Sequence, residues 1–230
     1  MLDIFKRLFG KLLHLSVIYL SMIFPKKGKI LMFHSIGDAR HEFNMSINIF
    51  EKLLQSLKKE NVVRLEEWES HNDYFCLTFD DVPDSFYYNA LPLLKKYKIP
   101  FTIFVSCSLL DTEGFITSEM LKEIADCKLS TIGSHGWKHS YFVVLSREEA
   151  EKDLILSKET LEKLTRRNID MYAFPYGSVY ACGFSKTKMV SKYYKSGFGT
   201  IATSITKPSL LPNYYLPRIV VTDNNYMNII

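Results

Sequence analysis

From Lys29 onward the chain alternates short apolar runs, suited to strands buried on both faces, with longer segments whose apolar residues recur every three or four positions. The strand-like runs are Ile30–Ser35, Tyr74–Phe79, Phe101–Cys107, Thr131–Ser134, Met171–Phe174 and Gly199–Ser204. The helical segments are Ser46–Glu60, Ser85–Lys98, Ser118–Asp126, Ser146–Arg166 and Ser185–Lys195. Each opens on a serine, whose hydroxyl can accept the unpaired amide protons of a first turn. Repeated strand-helix units predict a parallel sheet, open or closed into a barrel, with helices outside it. Either way the carboxyl ends of the strands share one rim, and a site is expected there.

Residues 1–28 follow a different pattern. Phe5, Leu8, Phe9, Leu12, Leu15 and Tyr19 recur on one side of a helix, with Asp3, Lys6, Arg7, Gly10, Lys11 and His14 largely on the other. The apolar stretch from Leu12 to Phe24 is shorter than the roughly 20 residues a membrane span needs. Met22-Ile23-Phe24-Pro25-Lys26-Lys27 lacks the small residues of a secretory cleavage site. The expectation is a basic amphipathic leader helix over 1–28, followed by one domain over 29–230. Two uses of that helix stay open: peripheral contact of residues 1–24 with an anionic membrane surface, or packing on the body of the protein.

Composition narrows the function classes. The chain has 230 residues, 47% hydrophobic and 23% charged, as ordinary globular proteins do. Its net charge of +4 is concentrated in the leader, and the near-neutral body offers no broad basic face for a phosphate backbone, so no nucleic-acid partner is expected. Cys76, Cys107, Cys127 and Cys182 form no CxxC pair and read as buried thiols of a reducing compartment.

Three polar clusters follow apolar runs. Asp80 and Asp81 end the run Leu77-Thr78-Phe79. Neighbouring strand residues face opposite ways, so both reach one cavity only if the chain bends, and two like charges there call for something positive between them. In Gly133-Ser134-His135-Gly136-Trp137-Lys138-His139, two imidazoles four residues apart meet on one side of a helical turn, a spacing that can hold a divalent metal. One carboxylate plus two histidines leaves coordination positions open for water and substrate, the catalytic type of zinc site. In Tyr172-Ala173-Phe174-Pro175-Tyr176-Gly177 a strand runs into a turn where main chain can approach a ligand and an amide can face a developing oxyanion. His34, at the end of the first strand, lies at the same expected rim.

These segments resemble the polysaccharide deacetylase family, carbohydrate esterase family 4. The likeness rests on Thr78-Phe79-Asp80-Asp81, on Ser134-His135-Gly136-Trp137-Lys138-His139 and on Phe174-Pro175-Tyr176-Gly177, and covers residues 29–221. It implies a distorted (β/α)7 barrel of parallel strands with outer helices, and metal-dependent removal of acetyl groups from sugars. It implies Asp81, His135 and His139 as ligands of one divalent ion, zinc foremost, with cobalt, nickel or iron accepted by the same ligand types. Asp80 becomes the general base and the Tyr176 amide an oxyanion donor. Trp137, Pro175 and Tyr176 become the residues expected at the sugar. The chain departs from the family pattern in carrying Ala173 where an arginine is usual, and in having no histidine after His139. The circularly permuted poly-N-acetylglucosamine deacetylases show the same departures. There a first-strand histidine serves as general acid, which His34 in Ile30-Leu31-Met32-Phe33-His34-Ser35-Ile36 resembles, and Arg218 resembles a late arginine that steadies the base.

The resulting expectation is a hydrolase of N-acetylhexosamine units in an acetylated amino-sugar polymer or a lipid-linked glycan. The basic leader points to a cytoplasmic protein at the inner membrane face; an exported, membrane-anchored form is the alternative. Two rival functions are a non-catalytic carbohydrate-binding barrel and an amidohydrolase of small non-sugar amides. A glycosidase using Asp80 and Asp81 is disfavoured, because adjacent residues are poorly placed to flank one bond at the roughly 5 Å or greater carboxyl separation such enzymes use.

Overall fold

Apolar strands that alternate with capped helices build one curled sheet with helices on its outer face. The computed structural model describes residues 2–39 and 42–229, with the side chains of residues 2, 3 and 5–7 excepted. The Asp3, Phe5, Lys6 and Arg7 side chains of the leader therefore lie outside the described residues. Helix α1 (Leu2–Ile23) leads into β1 (Lys26–Phe33), a short ribbon of β2 (Ser35–Ile36) and β3 (Asn44–Met45), and α2 (Ile47–Leu57). Then come β4 (Tyr74–Asp80), α3 (Leu91–Tyr97), β5 (Phe101–Val105), α4 (Ser118–Asp126), β6 (Ser130–Ser134), α5 (Arg147–Thr165) and β7 (Met171–Ala173). The chain ends through α6 (Val179–Cys182), α7 (Phe184–Thr187), β8 (Ser196–Phe198), β9 (Ile205–Thr206) and β10 (Ile219–Val220).

The strand order is β10-β1-β4-β5-β6-β7-β8, every neighbouring pair parallel, with β9 antiparallel on β1. The two ends of the sheet are linked by the last segment. Leu216 bridges to Phe198 at the end of β8, and Ile219 pairs with Leu31 in β1. The sheet thus curls toward closure, as a distorted (β/α)7 barrel with parallel strands and outer helices requires.

Strand alternation divides the core in two. Leu31, Phe33, Leu77, Phe79, Ile103 and Val105 face the helices. Ile30, Cys76, Phe104, Ala173, Phe198 and Leu216 form a second cluster inside the curl. Fully burying each large apolar side chain contributes about 1.5–3 kcal/mol. Along β4, Cys76 faces inward and Leu77 and Phe79 outward, so the same period carries Asp80 into the interior at the rim. Gly133 on β6 leaves room for the Phe104 ring, because a Cβ there would lie 2.4 Å from that ring.

Several expected elements differ. The run Gly199–Ser204 is not a strand; β8 precedes it at Ser196–Phe198, where the backbone of Gly197 and Gly199 is approached by Tyr214–Leu216. The expected helix Ser185–Lys195 is broken into α7 and a 3-10 turn at Lys188–Lys192, after Gly183 (φ 63°) has separated α6 from α7. Ser85–Lys98 forms a π-turn over Phe86–Ala90 and then α3; Pro92 has no amide proton, and the ladder widens just before it. Of the five serines, Ser146 forms a full capping box with Glu149, whereas the helix at Ser118 is capped by Thr117, and Ser46 and Ser85 make no side-chain cap. The four cysteines are free thiols, three of them buried.

Candidate functional site

The rim residues follow the ends of four strands, β1, β4, β6 and β7. Phe33 pairs with Phe79, so His34 and Asp80, one residue further along each strand, lie level at the same edge of the sheet. The bend needed to turn Asp81 into the same cavity is present: Asp81 (φ 61°) and Val82 (φ 55°) both adopt the left-handed region, closed by a 2.6 Å hydrogen bond from the Val82 amide to the Asp80 carbonyl. Two such non-glycine residues in succession cost on the order of 1–3 kcal/mol each, a strain typical of functional turns.

The two histidines meet, but not on a helical turn. Residues 135–140 form an irregular loop in which Gly136 (φ 79°) and His139 (φ 52°) are left-handed, and the rings come to 5.0 Å between centroids. The loop is pinned from three sides. The Trp137 and Lys138 amides donate to the Asp153 carboxylate of α5 at 3.0–3.3 Å. The Cys107 and Ser108 amides donate to the Gly136 and Trp137 carbonyls, and the His135 amide to Val105 O. His135 Nδ1 lies 2.8 Å from the Ala173 carbonyl, which sets that nitrogen as the donor and leaves Nε2 with a free lone pair. Ala173 thus offers its backbone carbonyl to one of the two candidate metal-binding histidines.

His139 Nε2 is 3.1 Å and His135 Nε2 3.6 Å from Asp81 Oδ1, and the ligand atoms of these three residues lie within 4.8 Å of one another. Beyond these two imidazole contacts, Asp81 Oδ1 is buried and has no hydrogen-bond donor among the described residues. One carboxylate oxygen facing two imidazole nitrogens suits a divalent cation. Burial pushes the Asp81 carboxyl up, but His139 and His135 outweigh it and hold it far below the ordinary range. For His139 burial is the largest single effect and lowers the pKa, but the Asp81 and Asp80 carboxylates together outweigh it and the pKa is elevated; for His135 burial prevails over both carboxylates and its pKa falls.

Asp80 lies beside this group, its Oδ2 3.9 Å from His135 Nε2. Both its oxygens accept from Arg218, Nη1 and Nη2 at 2.7 Å, and Arg218 is wholly buried, its guanidinium over the Phe104 ring at 5.2 Å and its Nε donating to Gly199 O. Burial alone would raise the Asp80 pKa; the guanidinium and His135 overcome it and keep the carboxylate ionised. His34 Nδ1 is buried without a hydrogen-bond partner among the described residues, and Phe43 tilts over the ring at 5.1 Å. Burial lowers the His34 pKa, opposed by Asp80 and Asp81.

Pro175 is buried, and Tyr176 (φ 60°) and Gly177 (φ 57°) continue its turn. The Tyr176 ring, 48% exposed, lies 4.8 Å from His139 and stacks at 3.7 Å on Tyr141. Trp137 is half-buried against the outer core and lines a depression with Leu145, Glu149, Lys152 and Leu156. The sequence reading missed Asp153, Tyr141 and Phe43. A signal existed for Asp153: it sits on the face of α5 that Ala150, Leu154, Ser157 and Leu161 bury, where a carboxylate is out of place.

A family model of polysaccharide deacetylases matches residues 69–191, more than half of the chain, spanning Asp80, Asp81, His135, His139 and Tyr176. The chain is 30% identical over 168 residues to the poly-beta-1,6-N-acetyl-D-glucosamine N-deacetylase of Staphylococcus aureus, covering 67% of this chain and 56% of that protein. The counterpart from Staphylococcus epidermidis is 29% identical over the same share. The chain therefore spans little more than half the length of these curated relatives. Its fold matches that of the Streptococcus pyogenes deacetylase PplD in complex with acetate, with a TM-score of 0.78, 23% identity, and 89% of this chain and 98% of that chain covered. It also matches IcaB from Ammonifex degensii, with a TM-score of 0.75, 21% identity, and 89% and 95% covered. By the extent of the family match and the motif residues within it, the chain belongs to the polysaccharide deacetylase family.

Proposed function

We propose that the chain is a metal-dependent N-deacetylase that hydrolyses acetamido groups of N-acetylhexosamine units in a polysaccharide or glycan precursor. The observation that carries this reading is the convergence of Asp81, His135 and His139 beside an ionised Asp80 held on both oxygens by Arg218. In this reading those three residues would hold one divalent ion, zinc foremost and cobalt, nickel or iron next, which supplies Lewis acidity toward the acetyl carbonyl and toward water.

Asp80 accepts the proton as water attacks the acetyl carbon. Arg218 is a positioning residue: its two hydrogen bonds fix the carboxylate plane and leave the remaining lone pairs for that proton. The Tyr176 amide donates to the developing oxyanion; one such donor is worth about 2.7–4 kcal/mol of barrier. The C–N bond then breaks as His34 delivers a proton to nitrogen, giving acetate and a free amine. The unpaired Nδ1 of His34 and the two nearby carboxylates support this assignment. Tyr176, stacked on Tyr141, offers a flat aromatic face to a sugar ring beside His139.

The test is acetate release from defined N-acetylglucosamine oligomers by the metal-loaded and chelator-treated protein. Release that disappears with chelation and returns with added ion is expected. Sugar binding without acetate release would replace this reading by the non-catalytic barrel, and turnover of simple amides in preference to oligomers would replace it by a small-molecule amidohydrolase.

A further inference from the structure

Helix α1 is docked by its less apolar face. Gly10 approaches α6 closely, with the position of a Cβ 3.7 Å from the Tyr180 amide nitrogen, Val17 is buried, and the Ser21 hydroxyl accepts from Thr203 Oγ1 at 2.6 Å. The opposite face is a stripe of large apolar side chains turned to solvent: Ile4, Leu8, Leu12, Leu15, Tyr19 and Ile23 are 55–73% exposed. At 100° per residue these six fall within one continuous arc, and a helix of 22 residues carries the stripe along its whole length. A body that buried this helix for its own stability would present the other face. Contiguous exposed apolar surface of this kind marks contact with another phase or partner.

Charge indicates which. Residues 1–29 hold six cationic residues and one carboxylate, while the rest of the chain sums near neutrality, so the positive charge of the chain is concentrated in the segment that carries the stripe. An apolar helix face in a net positive segment matches the acyl boundary and headgroups of an anionic bilayer. No helix among the described residues is long and apolar enough to cross a membrane.

The stripe is continuous with a groove. Leu15 belongs to both, and Gly10, Lys11 and His14 of α1 form one wall of a cleft of about 940 Å³ whose other wall includes Tyr141, Val144 and Tyr176. The Tyr176 ring at the far side of the cleft is the one 4.8 Å from His139.

We propose that α1 lies in the headgroup layer of an anionic lipid surface, and that the groove beside it leads the amino sugar of a lipid-anchored glycan to the catalytic rim. The first half is independent of the deacetylase reading; the second rests on it. The test floats the full chain with phosphatidylglycerol–phosphatidylcholine vesicles and measures acetate release from a soluble N-acetylglucosamine oligomer and from an N-acetylglucosamine glycolipid embedded in those vesicles. The wild type is expected to float with the anionic vesicles and to deacetylate the glycolipid. In Leu12→Glu/Tyr19→Glu, vesicle affinity is expected to fall at least about tenfold, with glycolipid turnover falling in parallel and the rate on the soluble oligomer unchanged. A wild type that stays unbound, or a variant that floats as well as wild type, overturns the surface assignment. So does a dimer, seen by sedimentation, that this variant dissolves in the absence of any flotation. Flotation lost with glycolipid turnover intact overturns the role of the groove. Correct flotation with no acetate from either substrate leaves the lipid contact supported and refutes the deacetylase reading and the groove's role together.

Discussion

The catalytic rim and the outer face of α1 depart from the inside-apolar rule in opposite directions. At the rim, Asp80 and Arg218 are charged groups withdrawn from water, tolerated because each satisfies the other at 2.7 Å. On α1, Leu8, Leu12 and Tyr19 are apolar groups left more than half exposed to water. The rim is pre-organised from within, by strand ends, left-handed turns and buried hydrogen bonds; the helix face, in the proposed surface assignment, is covered by lipid. Both departures lie within reach of Tyr176, which touches His139 on one side and the groove of α1 on the other.

The contrast can be broken most sharply at the rim. Asp80→Asn should lower kcat by about 10²–10⁴-fold while metal content stays at the wild-type level; undiminished turnover in the metal-loaded variant would remove Asp80 from the base role. His34→Asn should lower hydrolysis of the sugar amide by a similar factor of about 10²–10⁴, yet lower hydrolysis of an activated aryl acetate far less, since that leaving group needs no proton. Equal losses on both substrates would take His34 out of the acid role.

Stability sharpens the comparison next. Arg218→Met strands the buried Asp80 charge and should cost about 3–5 kcal/mol in urea unfolding at neutral pH. The sign with pH follows from the lowered Asp80 pKa. Stability from this pair is complete above the ordinary carboxylate value of 3.8 and is lost as pH falls through the lower, folded-state value. Without the guanidinium, burial raises the Asp80 pKa of the variant, so the gap between wild type and Arg218→Met, measured with chelator present, should narrow on acidification. A gap that widens on acidification would contradict the pairing. Asp153→Ala is the smallest of these effects: two backbone amides lose their acceptor, costing about 1–3 kcal/mol. Its metal affinity should fall by about 10–100-fold, as when outer partners of metal ligands are removed, although Asp153 touches no ligand side chain.

Much of the site was legible in the sequence because it sits where strand period and strand end coincide. Asp80, His34 and His135 each follow an apolar run, and parallel register alone brings them to one rim. What the sequence could not convey is backbone that leaves regular geometry. His135 and His139 meet through left-handed Gly136 and His139 rather than through a helical turn, and the strand expected at Gly199–Ser204 sits earlier because Gly197 and Gly199 admit the returning chain. Trp137, expected at the sugar from its place in the motif, lines a depression beside α5, and Tyr141, seven residues after Ser134, is the stacking partner of Tyr176 that the motif did not announce. The apolar face of α1 was visible in its period. Which face docks depends on Gly10, Val17 and Ser21 meeting α6 and Thr203, contacts between segments remote in sequence.

The central claim is that Asp81, His135 and His139 together grip one cation next to Asp80. Elemental analysis of purified wild type and of Asp81→Ala, His135→Ala and His139→Ala, each checked for folding by circular dichroism, tests it most directly. One divalent ion per wild-type chain and folded variants that each lose it is the expected result. Folded variants that retain the full complement of metal would contradict it.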